Sequence, residues 1–243
     1  MSQTQVQSPA IRIPDRNGEW MTGSEILLHM LLAEGVDCVF GYPGGAVLYI
    51  YDAMHGNPDF KHVLTRHEQG AIHAADGYAR STGKTGVVMA TSGPGATNLV
   101  TGIATAHMDS VPLVVITGNV PLTLIGTDSF QEADIVGMTQ PVTKHSYFVR
   151  RVEDLARIIR EAFILAGTGR KGPVLIDIPK DVSAARTKFV YPEQVDIPGY
   201  ERDAEALPIE EDKLEELLSA LTASEKPLIL AGGGVIQSEG SEA

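Results

Sequence analysis

The sequence predicts an α/β protein, in which a six-stranded parallel sheet with helices on both faces is followed by the start of a second α/β domain. Two observations lead to this fold class. Short, nearly continuous apolar runs alternate with longer amphipathic stretches, and such runs are typical of parallel strands that are buried on both faces. The 243 residues, 43% of them hydrophobic, suffice for one packed core and part of a second.

The elements alternate from the first helix onward. Thr22 and Glu25 form a T-x-x-E capping box before a helix whose leucines share one face, and Gly35 is placed to end that helix. The predicted strands cover 36–40, 62–65, 87–90, 113–117, 145–149 and 174–178. The further helices cover about 47–54, 68–81 and 152–165, with another running from the glycine-rich turn at 92–95 to about 108.

Five loops follow the predicted strands directly. They are the segments 42–45, 66–68, 91–95, 118–131 and 179–181. Ligands of open parallel sheets bind beyond the carboxyl ends of the strands. We therefore expect these loops to share one rim, although they lie far apart in the sequence.

Composition divides the chain into four parts. Residues 1–20 form a polar tail without the apolar core of a secretory signal. The first domain covers 21–190. Prolines and acidic residues make 191–207 a linker. Residues 208–243 start a second, truncated domain, with a helix at about 209–221 and a strand at 227–231.

Charge and cysteine content exclude several classes of partner. The net charge is −12 and no basic run is present, so we expect neither nucleic acid nor anionic membranes as partners. No apolar run approaches the ~20 residues that span a bilayer. The single cysteine, Cys38, rules out a disulfide within the chain. A reducing cytoplasm is the simplest location, and import into an organelle stays open.

Three catalytic motifs are incomplete in this sequence. The pair His67-Glu68 would need a second histidine at position 71 to bind zinc, and that residue is Ala71. Ser92 lacks the two flanking glycines of a hydrolase nucleophile. The glycines at 232–234 lack the third glycine of a dinucleotide fingerprint. We therefore assign no metal ligand and no serine nucleophile.

Several stretches form one constellation from about residue 21 onward. They are 40–46 (FGYPGGA), 66–69 (RHEQ), 91–98 (TSGPGATN), 109–112 (DSVP), 126–132 (GTDSFQE), and 172–174 (GPV) running into 177–181 (DIPKD). Together they resemble the large subunit of acetolactate synthase, or acetohydroxyacid synthase. The first three point to thiamine-diphosphate enzymes as a class, and Phe130-Gln131-Glu132 with Lys180 narrow the resemblance to the synthase.

The resemblance implies a reaction and its cofactors. Family members condense two pyruvates to 2-acetolactate with loss of carbon dioxide, or pyruvate with 2-oxobutyrate to 2-aceto-2-hydroxybutyrate, in branched-chain amino-acid biosynthesis. Their first domain holds the pyrimidine ring of thiamine diphosphate, the second binds FAD, and the third holds the diphosphate through Mg²⁺ and a G-D-G motif. A second catalytic subunit completes the site in a homodimer or larger assembly, and a small regulatory subunit is expected.

The sequence contains no G-D-G motif. We therefore expect the Mg²⁺ ligands and most of the FAD contacts to lie outside this chain. By the same argument, we expect the chain as given to be an incomplete, inactive amino-terminal fragment.

Glu68 is the predicted catalytic residue. In the family a glutamate hydrogen-bonds a pyrimidine nitrogen and favours the imino tautomer, so that the neighbouring exocyclic nitrogen acts as the base. An acid at a helix amino-terminus also has a purely structural explanation, because the helix dipole favours it there.

The same resemblance implies the other predicted site residues. Each of these residue types also has an ordinary structural explanation: tight turns require the glycines, packing explains Phe130, and Lys180 and Arg170 are solvated charges. The predicted cofactor contacts are Tyr42, Pro43, Gly44, Gly45, Glu68, Gly93, Pro94 and Asn98, with Arg170 facing FAD. The predicted substrate contacts are Ala46, Phe130, Gln131 and Lys180.

Two alternatives stay open. Another thiamine-diphosphate enzyme, such as pyruvate oxidase or a 2-oxo acid decarboxylase, would share the glutamate and the fold, although Phe130-Gln131-Glu132 argues against it. A non-catalytic fragment that only binds a partner chain is the second alternative, and the missing G-D-G motif supports it.

Overall fold

The computed structural model of the chain describes residues 15–198, 200, 210–238 and 240. The chain divides into two compact units, 1–202 and 203–243. The division falls inside the predicted linker, and the proposed boundaries of tail, domain and linker stay predictions. Most of the predicted tail and the end of the linker lie outside the described residues.

The first unit contains the strands and most of the helices. The strands are β1 (Trp20–Thr22), β2 (Cys38–Gly41), β3 (Lys61–Leu64), β4 (Gly86–Ala90), β5 (Leu113–Asn119), β6 (His145–Phe148), β7 (Pro173–Pro179) and β8 (Arg186–Lys188). The helices are α1 (Gly23–Ala33), α2 (Leu48–Met54), α3 (Glu68–Thr82), α4 (Pro94–Thr97), α5 (Val100–Asp109), α6 (Ile135–Thr139), α7 (Leu155–Gly167) and α8 (Lys180–Ala184).

Six of the strands form one parallel sheet in the order β3-β2-β4-β5-β7-β6, which confirms the predicted fold class. Every paired ladder in this sheet is parallel. Because the strands run in the same direction, all six end at the same edge. The loops that follow them are therefore brought to one side of the domain.

Two apolar layers cover the faces of the sheet. Along β5, Val114 and Ile116 belong to one layer and Leu113 and Val115 to the other, as the alternation of side chains in a strand requires. All four side chains are fully buried, and burial of each stabilises the fold by roughly 1.5–3 kcal/mol. Burial on both faces explains why the strands appear in the sequence as continuous apolar runs.

The capping box predicted for α1 is present. The Thr22 hydroxyl accepts a hydrogen bond from the backbone N–H of Glu25 at 3.2 Å, and the Glu25 carboxylate accepts one from the backbone N–H of Thr22 at 2.7 Å. The Thr22 backbone N–H lowers the pKa of Glu25 below its ordinary value. The helix ends at Ala33, and Gly35 takes the left-handed conformation expected beyond a helix end, with a φ of 76°.

Some short elements were not predicted. β1 and β8 pair as a separate antiparallel sheet, which places Trp20, assigned to the polar tail, in a strand. The single helix expected after the turn at 92–95 is two helices, α4 and α5. The interruption falls at Asn98 and Leu99, and the Asn98 side chain is directed to another element of the fold.

The second unit contains α9 (Glu211–Ala223) and α10 (Gly233–Gln237). α9 confirms the helix predicted at 209–221. The strand predicted at 227–231 is wrong, since those residues carry no regular structure and residues 228–230 are highly exposed. A strand is stabilised by pairing with a neighbour, and the described residues of this unit offer no such strand.

Candidate functional site

Three loops meet at the carboxyl ends of β2, β3 and β4. The loop after β2 contains Gly44 and Ala46, the turn after β3 leads to Glu68, and the loop after β4 contains Gly93 and Gly95. Direct contacts join these loops, as described below. The expectation that the glycine loops and Glu68 share one rim is confirmed.

Glu68 is the first residue of α3, and only 9% of it is exposed. His67 caps the helix, since its Nδ1 accepts a hydrogen bond from the Gln69 backbone N–H at 3.1 Å. The amide of Asn98 donates to Glu68 Oε2 at 2.9 Å. The carboxylate is thus held at a helix amino-terminus, where negative charge is favoured, and fixed by an amide from another loop.

The second carboxylate oxygen of Glu68 lies beside Gly95. A Cβ atom at position 95 would stand 3.3 Å from Glu68 Oε1. Glycine therefore leaves space beside the one oxygen that Asn98 does not contact. A planar ring with polar nitrogens could approach the carboxylate from this side.

Thr91 connects the two glycine loops. It was not among the predicted site residues. Its hydroxyl accepts a hydrogen bond from the backbone N–H of Ala46 at 3.1 Å. A Cβ at Gly44 would stand 2.4 Å from Thr91 Cγ2, and one at Gly95 would stand 2.8 Å from the same methyl. The sequence signal that could have indicated Thr91 is its position, a hydroxyl residue at the end of an apolar strand and directly before a glycine-rich turn.

Gly93 contacts the loop that carries Phe130 and Gln131. Gly93 has a φ of 60°, which favours glycine. A Cβ there would stand 2.7 Å from the carbonyl oxygen of Gln131. Gln131 itself has a φ of 61°, an uncommon conformation for a residue with a side chain. The backbone of this loop is therefore packed directly against the rim.

Glu132 closes the loop 126–132 on itself. Its carboxylate accepts hydrogen bonds from the backbone N–H groups of Gly126 and, at 3.0 Å, of Ser129. These two donors, Gly126 first, lower the pKa of Glu132. The side chain of Phe130, which follows Ser129, is 88% exposed. The loop thus holds a large aromatic ring in solvent, next to the rim.

A buried carboxylate lies beneath the same loop. Asp177 on β7 accepts hydrogen bonds from the Thr117 hydroxyl at 2.7 Å and from the Asn119 amide at 2.6 Å. Asn119 Oδ1 in turn accepts from the backbone N–H of Val120 at 2.8 Å, directly after β5. Burial raises the pKa of Asp177 to about 6. Asp177 lines a cavity of about 390 Å³.

The remaining predicted residues occupy two different places. Lys180 begins α8 at the carboxyl end of β7, with its Nζ 5.7 Å from the centroid of the Tyr49 ring. Tyr42 follows β2 on the rim and is 42% exposed. Arg170 precedes β7 at the opposite edge of the sheet, where its Nε donates to Ser110 Oγ at 2.9 Å. The contact of Arg170 with FAD stays a prediction.

The described part of the chain shows neither a membrane-spanning helix nor a metal centre. No helix in it is long and apolar enough to cross a membrane. Within the same residues, no three His, Cys, Asp or Glu side chains are grouped so that they could hold a metal ion.

One segment of the chain matches a known protein family. Residues 21–138 match the family described as thiamine pyrophosphate enzyme, N-terminal TPP binding domain. The matched segment contains all three rim loops, with Glu68, Thr91 and Asn98. This segment, just under half of the chain, is therefore similar to the N-terminal TPP binding domain of thiamine pyrophosphate enzymes.

Several curated relatives that the chain resembles are acetolactate synthase large subunits. The large subunit from Lactococcus lactis subsp. lactis is 52% identical over 214 residues, covering 88% of this chain and 37% of the relative. The isozyme 3 large subunit from Escherichia coli is 50% identical over 220 residues, covering 90% and 38%. The large subunit from Buchnera aphidicola subsp. Schizaphis graminum is 50% identical over 226 residues, covering 92% and 39%. The chain thus spans less than two fifths of these curated relatives.

Proposed function

We propose that this chain provides the pyrimidine-binding part of an acetolactate synthase, which condenses two pyruvates to 2-acetolactate or pyruvate with 2-oxobutyrate to 2-aceto-2-hydroxybutyrate. The observation that carries the proposal is the buried Glu68 carboxylate, fixed by Asn98 at 2.9 Å at the meeting point of two glycine loops. The large-subunit relatives support the choice of reaction within the class.

The rim residues fit an aminopyrimidine ring. Glu68 has one oxygen bound by Asn98 and the other beside the open space at Gly95, so a carboxyl group is available at hydrogen-bond range of a ring nitrogen. Gly44, Gly45 and Gly93 allow a ligand to approach the backbone closely.

Glu68 would hold or move one proton at the ring nitrogen. Ala46 and Gly45 would line the site next to the reacting carbon. When bound, thiamine diphosphate supplies the carbanion chemistry of the condensation.

The rest of the active site would come from parts of a full-length synthase that lie outside this chain. Mg²⁺ ligands, most FAD contacts and the diphosphate site would come from outside this chain, and Arg170 would contribute to FAD binding. A second catalytic subunit would complete the active site, with Phe130, Gln131 and Lys180 facing the substrate. The description of the relatives as large subunits supports a small regulatory subunit. We propose a cytoplasmic location.

A chimera tests the function. Residues 21–190 would replace the matching segment of the Escherichia coli isozyme 3 large subunit, in a strain that lacks its own synthases. We expect growth without added valine and isoleucine, and acetolactate formation by the purified chimera. A folded chimera that forms acetaldehyde or acetyl phosphate instead, or no product at all, would contradict the proposal.

Two variants of the chimera serve as matched controls. Glu68→Gln should abolish growth, because the carboxyl group that moves the proton is gone. Glu153→Gln removes an exposed carboxylate whose only described ion pair, with Arg151 at 3.6 Å, lies on the surface, and it should grow normally.

A further inference from the structure

Thr91 occupies an unusual position between the two glycine loops. It directly follows β4, and only 8% of it is exposed. Its hydroxyl contacts one loop, at the Ala46 N–H, while its methyl group contacts Gly44 and Gly95. A single side chain therefore touches three residues of the rim through two chemically different groups.

We propose that Thr91 is a positioning residue that fixes the loop bearing Ala46 relative to Gly95 and the Glu68 carboxylate. Its role toward a bound pyrimidine rests on the proposed function, whereas its role in holding the loops together does not. Thr91 touches no reacting atom in this proposal and acts only through its neighbours.

The hydroxyl satisfies a backbone donor that its own helix cannot serve. Ala46 lies in the 3₁₀ turn Gly45–Val47 that leads into α2. The first N–H groups of a helical segment have no partner within it. The Thr91 hydroxyl serves the Ala46 N–H from another strand, 45 residues away in the sequence, at a buried position. Without that acceptor the N–H would be left unsatisfied, which is strongly unfavourable for a buried group.

The methyl group of Thr91 lies close to Gly95, on the side of the rim where Gly95 faces the Glu68 carboxylate. The position of a Cβ on Gly95 lies 2.8 Å from Thr91 Cγ2 and 3.3 Å from Glu68 Oε1. Thr91 Cγ2 and Glu68 Oε1 thus both border the space that a Cβ at position 95 would occupy. A shift of Thr91 would therefore change the shape of the space beside Oε1.

Two substitutions separate the two groups. Thr91→Val keeps the shape of the side chain and removes the acceptor, whereas Thr91→Ser keeps the acceptor and removes the methyl group. In the 243-residue chain, we expect Thr91→Val to speed amide hydrogen exchange of Ala46 by about tenfold, as the loss of one hydrogen bond permits. Thr91→Ser should stay within about threefold of the unchanged protein at this amide.

The amide of Val88, in the middle of β4, is the internal reference. An unchanged exchange rate at Val88 shows that the sheet is intact in both variants. If Ala46 exchanges at the same rate in Thr91→Val as in the unchanged chain, the proposed contact role is wrong.

A second readout addresses the cofactor. In the chimera loaded with thiamine diphosphate, we expect Thr91→Val to slow proton–deuteron exchange at the cofactor C2 by about tenfold or more, with a fall in melting temperature of only about 2–4 °C. Thr91→Ser, which keeps the hydroxyl and lacks the methyl group, should give a rate between those of Thr91→Val and the unchanged chimera. Equal rates in all three proteins would overturn the positioning role toward the cofactor.

The two readouts fail independently. If the unchanged chimera does not accelerate C2 exchange over the free cofactor, the proposed function fails. The Ala46 amide then still decides whether Thr91 holds the two loops together.

Discussion

Two halves of the same rim are built in different ways. The Glu68 half (Gly44, Glu68, Thr91, Gly95 and Asn98) is held by contacts between different loops, and its polar side chains are largely buried. The Phe130 half (residues 126–132) is held by hydrogen bonds within one loop, and its aromatic ring is 88% exposed. We therefore expect single-atom changes to alter the Glu68 half, whereas the Phe130 half depends on the backbone shape of its own loop.

The largest effect is expected at Glu68. In the chimera, Glu68→Gln should slow proton–deuteron exchange at C2 of bound thiamine diphosphate by about 10²- to 10⁴-fold, because an amide cannot exchange a proton with the ring nitrogen. The fold should be retained, since glutamine can still accept the Asn98 hydrogen bond. The exchange is followed by NMR, and a rate within about threefold of the unchanged chimera, a difference of only ~0.7 kcal/mol, would rule out the catalytic role.

The next largest effect is expected at Asp177, the buried carboxylate that lines the cavity beside the loop of the Phe130 half. Its folded-state pKa of about 6 lies above the ordinary 3.8, so the folded unit binds this proton more tightly than the unfolded chain does. Asp177 therefore favours folding below about pH 4, and that contribution is lost as the pH rises to about 6. Compared with Asp177→Asn, the unchanged chain should lose on the order of 3 kcal/mol of stability across this window.

Urea unfolding at a series of pH values measures this difference. Trp20 is the only tryptophan of the chain and reports on the first unit. Asparagine fits the site, since its oxygen can accept from Asn119 and its amide can donate to the Thr117 hydroxyl. Asp134, Glu132 and Arg150 line the same cavity; they are unchanged in both proteins, so the comparison isolates Asp177. A pH-independent difference would contradict the prediction.

Adjacent glycines on the rim sharpen the comparison. Gly44→Ala places a Cβ 2.4 Å from Thr91 Cγ2, whereas a Cβ at Gly45 meets no atom within 4 Å. The backbone of Gly44 is extended, with a φ of −169°, so the clash alone is tested. We expect Gly44→Ala to lower the free energy of unfolding by about 1–3 kcal/mol, and Gly45→Ala to leave it unchanged or slightly raised. Equal urea midpoints would show that the rim adapts to the added methyl group.

The smallest effect is expected at Glu132. Glu132→Gln keeps one acceptor oxygen and loses the other, so the loop 126–132 should open more often. Amide exchange at Gly126 and Ser129 should rise a few-fold, while exchange at Ala46 in the Glu68 half stays the same. The pKa of Glu132 is lowered in the folded protein. The loop of the unchanged protein should therefore open more often, as in Glu132→Gln, when the pH falls through the folded-state pKa of Glu132. Equal protection at Ser129 in both proteins would refute the role of the carboxylate.

The sheet was predictable because its signals are local. Each strand appears as an apolar run, and the capping box of Thr22 and Glu25 marks the start of α1. The strand predicted at 227–231 used the same signal and failed, because an apolar run becomes a strand only beside a partner. The pairing of β1 with β8 was missed for the converse reason: three-residue strands pair here across more than 160 residues, and nothing in their own sequence shows it.

The candidate site was predictable only in part. Family motifs indicated Glu68 and the glycines, and the structure shows them on one rim. The contact of Thr91 with Ala46 and the network around Asp177 depend on which strands become neighbours. The position of Thr91 directly before a glycine-rich turn was a signal for that residue, but it does not indicate Ala46 as the partner.

The parallel arrangement of the strands also has a consequence for how the chain folds. The hydrogen bond between Ala46 and Thr91 spans 45 residues, and that between Asn98 and Glu68 spans 30. Closing such loops costs chain entropy before any contact compensates for it, so domains rich in distant contacts fold slowly. No short segment of the emerging polypeptide can form half of the Glu68 site in advance. Recognition of a ligand at this rim therefore depends on a sheet that has already assembled around β2 and β4, and partly folded chains lack the site.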